Sequence, residues 1–335
     1  MSAGGDLYYR SFEDLNRLVR ESAIKLPNDI DVVVGIPRSG LLVANLIALH
    51  LHVPLAELSG FARGELLYQG WRMSERGEMP RFRKALVVDD SISSGAELRN
   101  AQAKLKDVRT PLLYAAAYAV PEALHMVDFA FEVLPQPRAF EWNIMHGAVL
   151  KNACVDIDGV LCPDPTDEEN DDGERYLKFL TGAPVRCRPR GRIKHLVTSR
   201  LERYRRETEQ WLAANGIDYE RLWMAPYATA AERRAAQAYA KLKADIYRET
   251  GAELFIESAE HVARDIAEIV QRPVFCTDSR QMIYPGQPAG ALMTFPGRTP
   301  AGVQVPLGWF VRQAGMEVAS RLMSRLWSTI PHARS

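Results

Sequence analysis

Short apolar runs alternate with amphipathic stretches along the chain, and the alternation occurs twice. In the first half, residues 31–35 (DVVVG), 84–90 (KALVVDD), 112–119 and 129–134 read as buried strands. Residues 11–22, 41–50 and 96–105 carry helical spacing, with Ser11 and Asp14 placed as a capping box. The second half restarts with strands at 153–157, 194–198, 222–225, 253–256 and 273–276, and helices at 202–215, 230–250 and 259–269. Strands alternating with helices predict parallel sheets with helical crossovers. Residues 60–83 break the pattern with four glycines and Arg63, Arg72, Arg76 and Arg81, which predicts a functional loop. After residue 278 Gly and Pro recur, and 309–327 reads as an amphipathic helix, expected to dock on its own domain, with a membrane surface or a partner as the alternative.

At 335 residues the chain has room for about two domains. The expected division is 1–148, 149–285 and a C-terminal extension at 286–335. Lys plus Arg equals Asp plus Glu at 42 each, so no general basic field marks a nucleic-acid binder. No apolar run approaches the roughly 20 residues that span a bilayer, and the N-terminus carries no signal-peptide core. Cys154, Cys162, Cys187 and Cys276 form neither a Cys-x-x-Cys pair nor a disulfide framework. A cytoplasmic protein with reduced thiols is expected.

Chemistry concentrates at strand ends. The run Val87-Val88-Asp89-Asp90-Ser91-Ile92-Ser93-Ser94-Gly95 is a strand, two carboxylates and a hydroxyl-rich loop opening a helix. A helix N-terminus with free amides cradles phosphate. Asp89 and Asp90 stand where ribose hydroxyls or magnesium would bind. Ile36-Pro37-Arg38-Ser39-Gly40 makes a second such loop after the first strand. A generic strand–turn–helix explains either motif alone. Together and in this order they resemble the type I phosphoribosyltransferases, over roughly residues 1–148. The resemblance implies phosphoribosyl diphosphate (PRPP) as donor. Ser91 to Gly95 would hold its 5-phosphate, and Ile36 to Gly40, with Arg38 foremost, its diphosphate. Ser93 and Glu97 depart from the 6-oxopurine enzymes, which carry Asp at the first of these positions and often Thr at the second. Trp142 lies where that family meets its acceptor, and reads equally as a stacking platform or a core aromatic.

A second constellation starts at Asp156-Ile157-Asp158-Gly159. Two aspartates two apart at a strand end allow one to attack phosphorus and the other to move protons. Thr198-Ser199-Arg200, Lys243 and then Glu257-Ser258-Ala259-Glu260 follow. This order resembles the haloacid-dehalogenase-like hydrolases over roughly residues 150–280. The resemblance implies Asp156 as nucleophile and Asp158 as general acid/base. Thr198, with Ser199 and Arg200, would bind substrate, and Lys243 would neutralise charge, with Lys241 as fallback. Magnesium would sit on Asp156, Asp158 and either Glu257 or Glu260. The acidic run 166–174 reads as a solvated loop, and the short 158–194 interval leaves little room for a cap domain.

The expected architecture is therefore α/β: a phosphoribosyltransferase-like domain, a haloacid-dehalogenase-like Rossmannoid domain and a helical extension. The expected function is transfer of 5-phosphoribose from PRPP to a small-molecule or glycan acceptor, then removal of the 5-phosphate. The alternatives are a nucleobase phosphoribosyltransferase with an attached nucleotidase, and a non-catalytic sensor of PRPP or nucleotide. Homo-oligomerisation stays open.

Overall fold

The computed structural model describes residues 7–67, 81–235 and 239–287. Most of the expected 60–83 loop and the whole 309–327 helix lie outside these residues. Packing divides the described chain into an N-terminal unit, residues 12–135, and a C-terminal unit, residues 136–287 joined by residues 7–11.

Strand β1 (Tyr8–Arg10) belongs to the C-terminal unit. The N-terminal unit runs α1 (Phe12–Ala23), β2 (Val32–Gly35), α2 (Ser39–Leu51), β3 (Leu55–Glu57), α3 (Leu58–Ala62), β4 (Ala85–Ile92), α4 (Ala96–Lys104), β5 (Leu112–Ala119) and β6 (Phe129–Val133). Its five strands lie in the order β3-β2-β4-β5-β6, all parallel. Val32, Val34, Ala85, Val87 and Ala116 are buried in its core, as expected of a sheet covered on both faces. From β2 the chain first goes to β3 on one side, then crosses to β4 on the other. The carboxyl ends of β2 and β4 thus flank a topological switch point, where open α/β sheets bind ligands.

The C-terminal unit continues with β7 (Arg138–Phe140), β8 (Ala153–Val155), α5 (Glu174–Gly182), β9 (Ile193–Leu201), α6 (Arg205–Ala214), β10 (Tyr219–Ala225), α7 (Ala230–Ala235), α8 (Tyr239–Thr250), β11 (Leu254–Glu257), α9 (Glu260–Val270), β12 (Val274–Cys276) and β13 (Gln281–Ile283). The sheet order is β10-β9-β8-β11-β12-β13, with β13 alone antiparallel. Alternate residues feed cores on its two faces: Ala153, Val155, Leu254 and Ile256 on one, Cys154 and Phe255 on the other. Its switch point lies between β8 and β11. Among the described residues no helix is long and apolar enough to cross a membrane.

Three differences from the sequence expectation have local causes. The packing boundary does not follow the break expected at 148/149. Strand β1 pairs in parallel with β7, and Leu7, Tyr9, Ala139 and Ile144 join the C-terminal core. The short strand β3 and helix α3 arise where no periodic run is long enough to see; the Glu57 carboxylate caps α3 by accepting from the amides of Ser59 and Gly60. The acidic run 166–174 is partly structural. Asp171 accepts from the amides of Gly173 and Tyr176 at the start of α5, and Asp172 accepts from the Tyr204 hydroxyl and the Ala230 amide.

Tyr9 packs its ring 5.6 Å from that of Phe275, and its hydroxyl donates to the Arg280 carbonyl. Replacing Tyr9 by Ala should cost about 3 kcal/mol, as for buried aromatics generally. Hydrogen exchange should show protection lost in β11–β13 and kept in β2–β6. Equal loss in both sheets would contradict the assignment of the N-terminal strand to the C-terminal unit.

Candidate functional site

At the first switch point the two loops are held together by the sheet register. Gly35 pairs with Val88, and the Ile36 amide donates to the Val88 carbonyl. Gly40, in the first turn of α2, lies so close to β4 that a Cβ there would fall 2.7 Å from the Val88 carbonyl and 3.2 Å from the Asp89 carboxylate. Only glycine permits this approach, which seats the 36–40 loop directly on the acidic pair. The Pro37–Arg38 peptide is cis. Neither Ncap residue, Arg38 of α2 or Gly95 of α4, caps its helix through a side chain; at α4 the Ser94 hydroxyl, one residue earlier, accepts from the Ala96 amide at 3.4 Å. Gly95 takes φ +72°, which turns the chain from β4 into α4.

The expected residues divide by exposure. Pro37, Arg38, Ser93 and Ser94 are exposed, and Ser39 and Ser91 half-buried. Ile36 and Ile92 are buried in the core, so they place the loops through their backbones. Asp89 and Asp90 are buried side by side, and the Asp90 amide donates to the Asp89 carboxylate. Burial first, and then the neighbouring Asp90 charge, push the Asp89 carboxyl up to about 8. Two buried carboxyls side by side suit a divalent cation. Trp142 is part of the C-terminal unit, half-buried and stacked 4.7 Å from Phe140.

The second switch point gathers charges from three elements. Asp156 follows β8, and its amide continues the ladder to the Ile256 carbonyl. Glu257 ends the adjacent β11. Lys243 projects from α8 on the face that also buries Ala244 and Tyr247, whereas Lys241 is exposed. The Lys243 Nζ lies 2.6 Å from Asp156 Oδ2 and 2.6 Å from Glu257 Oε2, all three groups being buried. Burial works against the Lys243 ammonium, but the two carboxylates outweigh it and move its proton affinity up. Asp156 is pushed well above the carboxylate range by burial, opposed by Lys243 and reinforced by Glu257 and Asp158. Two carboxylates share one ammonium, which leaves negative charge uncompensated. Glu260, at the start of α9, is exposed and pairs with Arg264, so Glu257 is the acid that belongs to this cluster.

The residues implied to bind substrate are arranged differently. Arg200 is fully buried and grips Asp158 with two nitrogens, Nη2 to Oδ1 at 2.6 Å and Nε to Oδ2 at 3.0 Å. It also donates to Cys162 Sγ and Thr208 Oγ1, and lies near the rings of Phe179 and Trp211. Its donors are turned toward protein, so it serves Asp158 rather than a ligand. Thr198 is buried, its hydroxyl accepting from the Arg200 amide, and Ser199 is half-buried beside it.

Two contributors went unseen in the sequence. Arg186 donates to the Gly159 carbonyl at 2.6 Å and to Asp278, which fixes the loop after Asp156. Asp164 approaches the same loop: a Cβ on Gly159, at φ +76°, would lie 2.7 Å from its carboxylate. Burial, then the charges of Asp158 and Glu257, push Asp164 upward. Its place six residues after Asp158 was a usable signal, while Arg186 had none, because its contact is made by the fold.

Among the described residues no three His, Cys, Asp or Glu side chains form a metal cage. Magnesium needs less, keeping several waters and taking one or two carboxylates. Asp156 and Glu257 fit that requirement, as do Asp89 and Asp90.

Residues 8–135 match the phosphoribosyl transferase domain family, so the chain carries such a domain over less than half of its length. Among solved structures, similarity is found to a purine phosphoribosyltransferase of Pyrococcus horikoshii, 20% identical, covering 41% of this chain and 94% of that one at a TM-score of 0.33. A xanthine-guanine-hypoxanthine phosphoribosyltransferase of Helicobacter pylori is 17% identical, with coverages of 40% and 92% and a TM-score of 0.32. An orotate phosphoribosyltransferase of Aeropyrum pernix is 18% identical, with coverages of 36% and 70% and a TM-score of 0.27. A search of curated proteins gave no match.

A carboxyl whose proton affinity rises on folding contributes most to stability below its unfolded value, and loses that contribution as pH climbs through the folded value. Without divalent cation, stability of the N-terminal unit should therefore fall between about pH 4 and about 8. In the Asp89→Asn protein that slope should flatten, as read by melting temperature across the range. An unchanged slope would contradict the burial of this pair.

Proposed function

We propose that the chain installs a ribofuranosyl group in two steps. The N-terminal domain transfers 5-phosphoribose from PRPP to an acceptor hydroxyl, releasing diphosphate. The C-terminal unit then removes the 5-phosphate. The observation that carries this reading is the buried Lys243–Asp156–Glu257 cluster at the second switch point, on the same chain as a phosphoribosyl transferase domain.

In the first step the 36–40 loop, with Arg38, grips the diphosphate. Ser91, Ser93, Ser94 and Gly95 hold the 5-phosphate at the start of α4. Asp89 and Asp90 hold ribose hydroxyls and magnesium. In the second, an Asp156 oxygen attacks phosphorus and the ester oxygen leaves, taking a proton from Asp158. Water then attacks the aspartyl phosphate, with Asp158 receiving its proton, and inorganic phosphate departs. Thr198 orients the phosphoryl oxygens, and Lys243 offsets their negative charge. Asp158 must turn from Arg200 to reach the ester oxygen. Magnesium, when held by Asp156, Glu257 and the Asp158 carbonyl, supplies further charge neutralisation.

A glycan hydroxyl is the acceptor this reading favours. PRPP is the common activated ribofuranose, and making a nucleotide only to dephosphorylate it would be futile. Between Asp158 and β9 the only α-helix is α5, so the phosphatase centre has little to enclose a small substrate. Four free cysteines, three of them buried, support a reducing, cytoplasmic setting.

The test is to incubate the Asp156→Asn protein with PRPP, magnesium and candidate acceptors, and to weigh the products. A 5-phosphoribosyl adduct should accumulate, and wild-type protein should yield the same adduct without its phosphate. Unphosphorylated product from Asp156→Asn would contradict the coupled mechanism. Product formed only with a free nucleobase would favour salvage.

A further inference from the structure

Three cations are buried among the described residues of the C-terminal unit, and two have carboxylate partners. Arg200 is paired with Asp158, and Lys243 with Asp156 and Glu257. The third, Arg233 on α7, is only 7% exposed. Its Nη1 donates to the Ser199 carbonyl, and its guanidinium lies 4.9 Å from the centre of the Tyr239 ring. Its Nε is buried with no hydrogen-bond partner, and no carboxylate among the described residues pairs with it. The Ser199 hydroxyl is buried and unpartnered as well. Arg233 thus touches β9 at the Ser199 carbonyl, one residue past Thr198, and each of the two residues keeps a buried polar atom without a partner. A buried guanidinium without a counter-charge is costly, and a neutral hydrogen-bonding group would satisfy its N–H groups but not its charge.

Topology says which part of a substrate would supply that charge. Helix α7 opens the crossover that follows β10, and its Arg233 touches β9 at Ser199. Asp156 follows β8, the neighbouring strand. Neighbouring strands lie about 4.8 Å apart, so an anion at Arg233 sits beside the phosphoryl-transfer centre rather than in it.

We propose that Arg233 and Ser199 form a subsite for a second anionic group, carried on the leaving-group side of the phosphomonoester, either a carboxylate or a phosphodiester. On the function proposed above, on which this rests, the natural acceptor is then an acidic glycan. The charge-assisted contacts act on the leaving portion, so they select the substrate by its remote group.

The test compares kcat/KM for three probes: methyl ribofuranoside 5-phosphate, the same phosphorylated sugar joined to a uronic acid, and that sugar joined to a methyl phosphodiester. Wild type should prefer at least one anionic probe to the methyl glycoside by tenfold or more, and which one tells carboxylate from phosphodiester. Arg233→Met should cut that ratio at least tenfold, Arg233→Lys should keep part of it, and Ser199→Ala should lower it less. An equal ratio in wild type and variants, or no preference in wild type, overturns the subsite. If Arg233→Met does not fold, the Arg233→Lys and Ser199→Ala ratios decide in the same way. Calorimetric binding of the three probes to the Asp156→Asn protein, with and without Arg233→Lys, separates this proposal from the phosphatase reading. Tighter binding of an anionic probe that weakens with Arg233→Lys supports the subsite even if wild type hydrolyses nothing, an outcome that defeats only the phosphatase. Equal binding of all three overturns the subsite.

Discussion

One ammonium between two buried carboxylates organises the C-terminal unit. Lys243, Asp156 and Glu257 come from a helix and two strand ends, and Asp156 lies 87 residues before Lys243. Each charge alone would be expensive to bury, and removing one partner from such a group typically costs about 3–5 kcal/mol. Apolar residues of similar volume would stabilise the sheet at least as well. Keeping three charges where β8 and β11 diverge therefore points to chemistry rather than packing. The excess carboxylate is the same fact viewed electrostatically: the centre is built to receive positive charge.

The N-terminal unit applies the same rule with different residues. Parallel register sets the ends of β2 and β4 side by side, and Gly40 lets one loop lie on Asp89. Two buried acids again lie side by side, and neither of the helices that follow is capped by its own Ncap side chain. In each unit the candidate residues lie at strand ends and in the turns after them, with Lys243 supplied from a helix, while the strands beneath carry Val, Ile, Leu and Ala. Arg200 shows how firmly such a loop can be held, since its guanidinium clamps Asp158 while aromatic rings flank it.

Much of this was legible in the sequence because it is local or periodic. The strands DVVVG and KALVVDD, the Ser93-Ser94-Gly95 turn and the Asp156-x-Asp158 pair each declare themselves within a few residues. The assignment of Lys243 over Lys241 follows from helical phase once the helix is known. Other features depend on contacts between distant segments. Strand β1 pairs with β7 across more than a hundred residues, too short a run to register as periodicity. Arg200 reads as a ligand-binding residue in sequence, because nothing local reveals that Asp158 will lie against it. Glu257 and Glu260 are equivalent in sequence, and only the strand end separates the buried acid from the exposed one. Arg186 and Asp172 take their roles from partners in other elements.

The account turns on Asp156 as the group that takes the phosphoryl. Sodium borohydride reduces an acyl phosphate to the alcohol, so quenching the enzyme during turnover of a phosphomonoester marks the aspartate that carried phosphorus. Peptide mass mapping should find homoserine at position 156 in the presence of magnesium and substrate, and not in the Asp156→Asn protein. Sustained turnover with position 156 unmodified, or with homoserine at position 158 instead, would contradict the account.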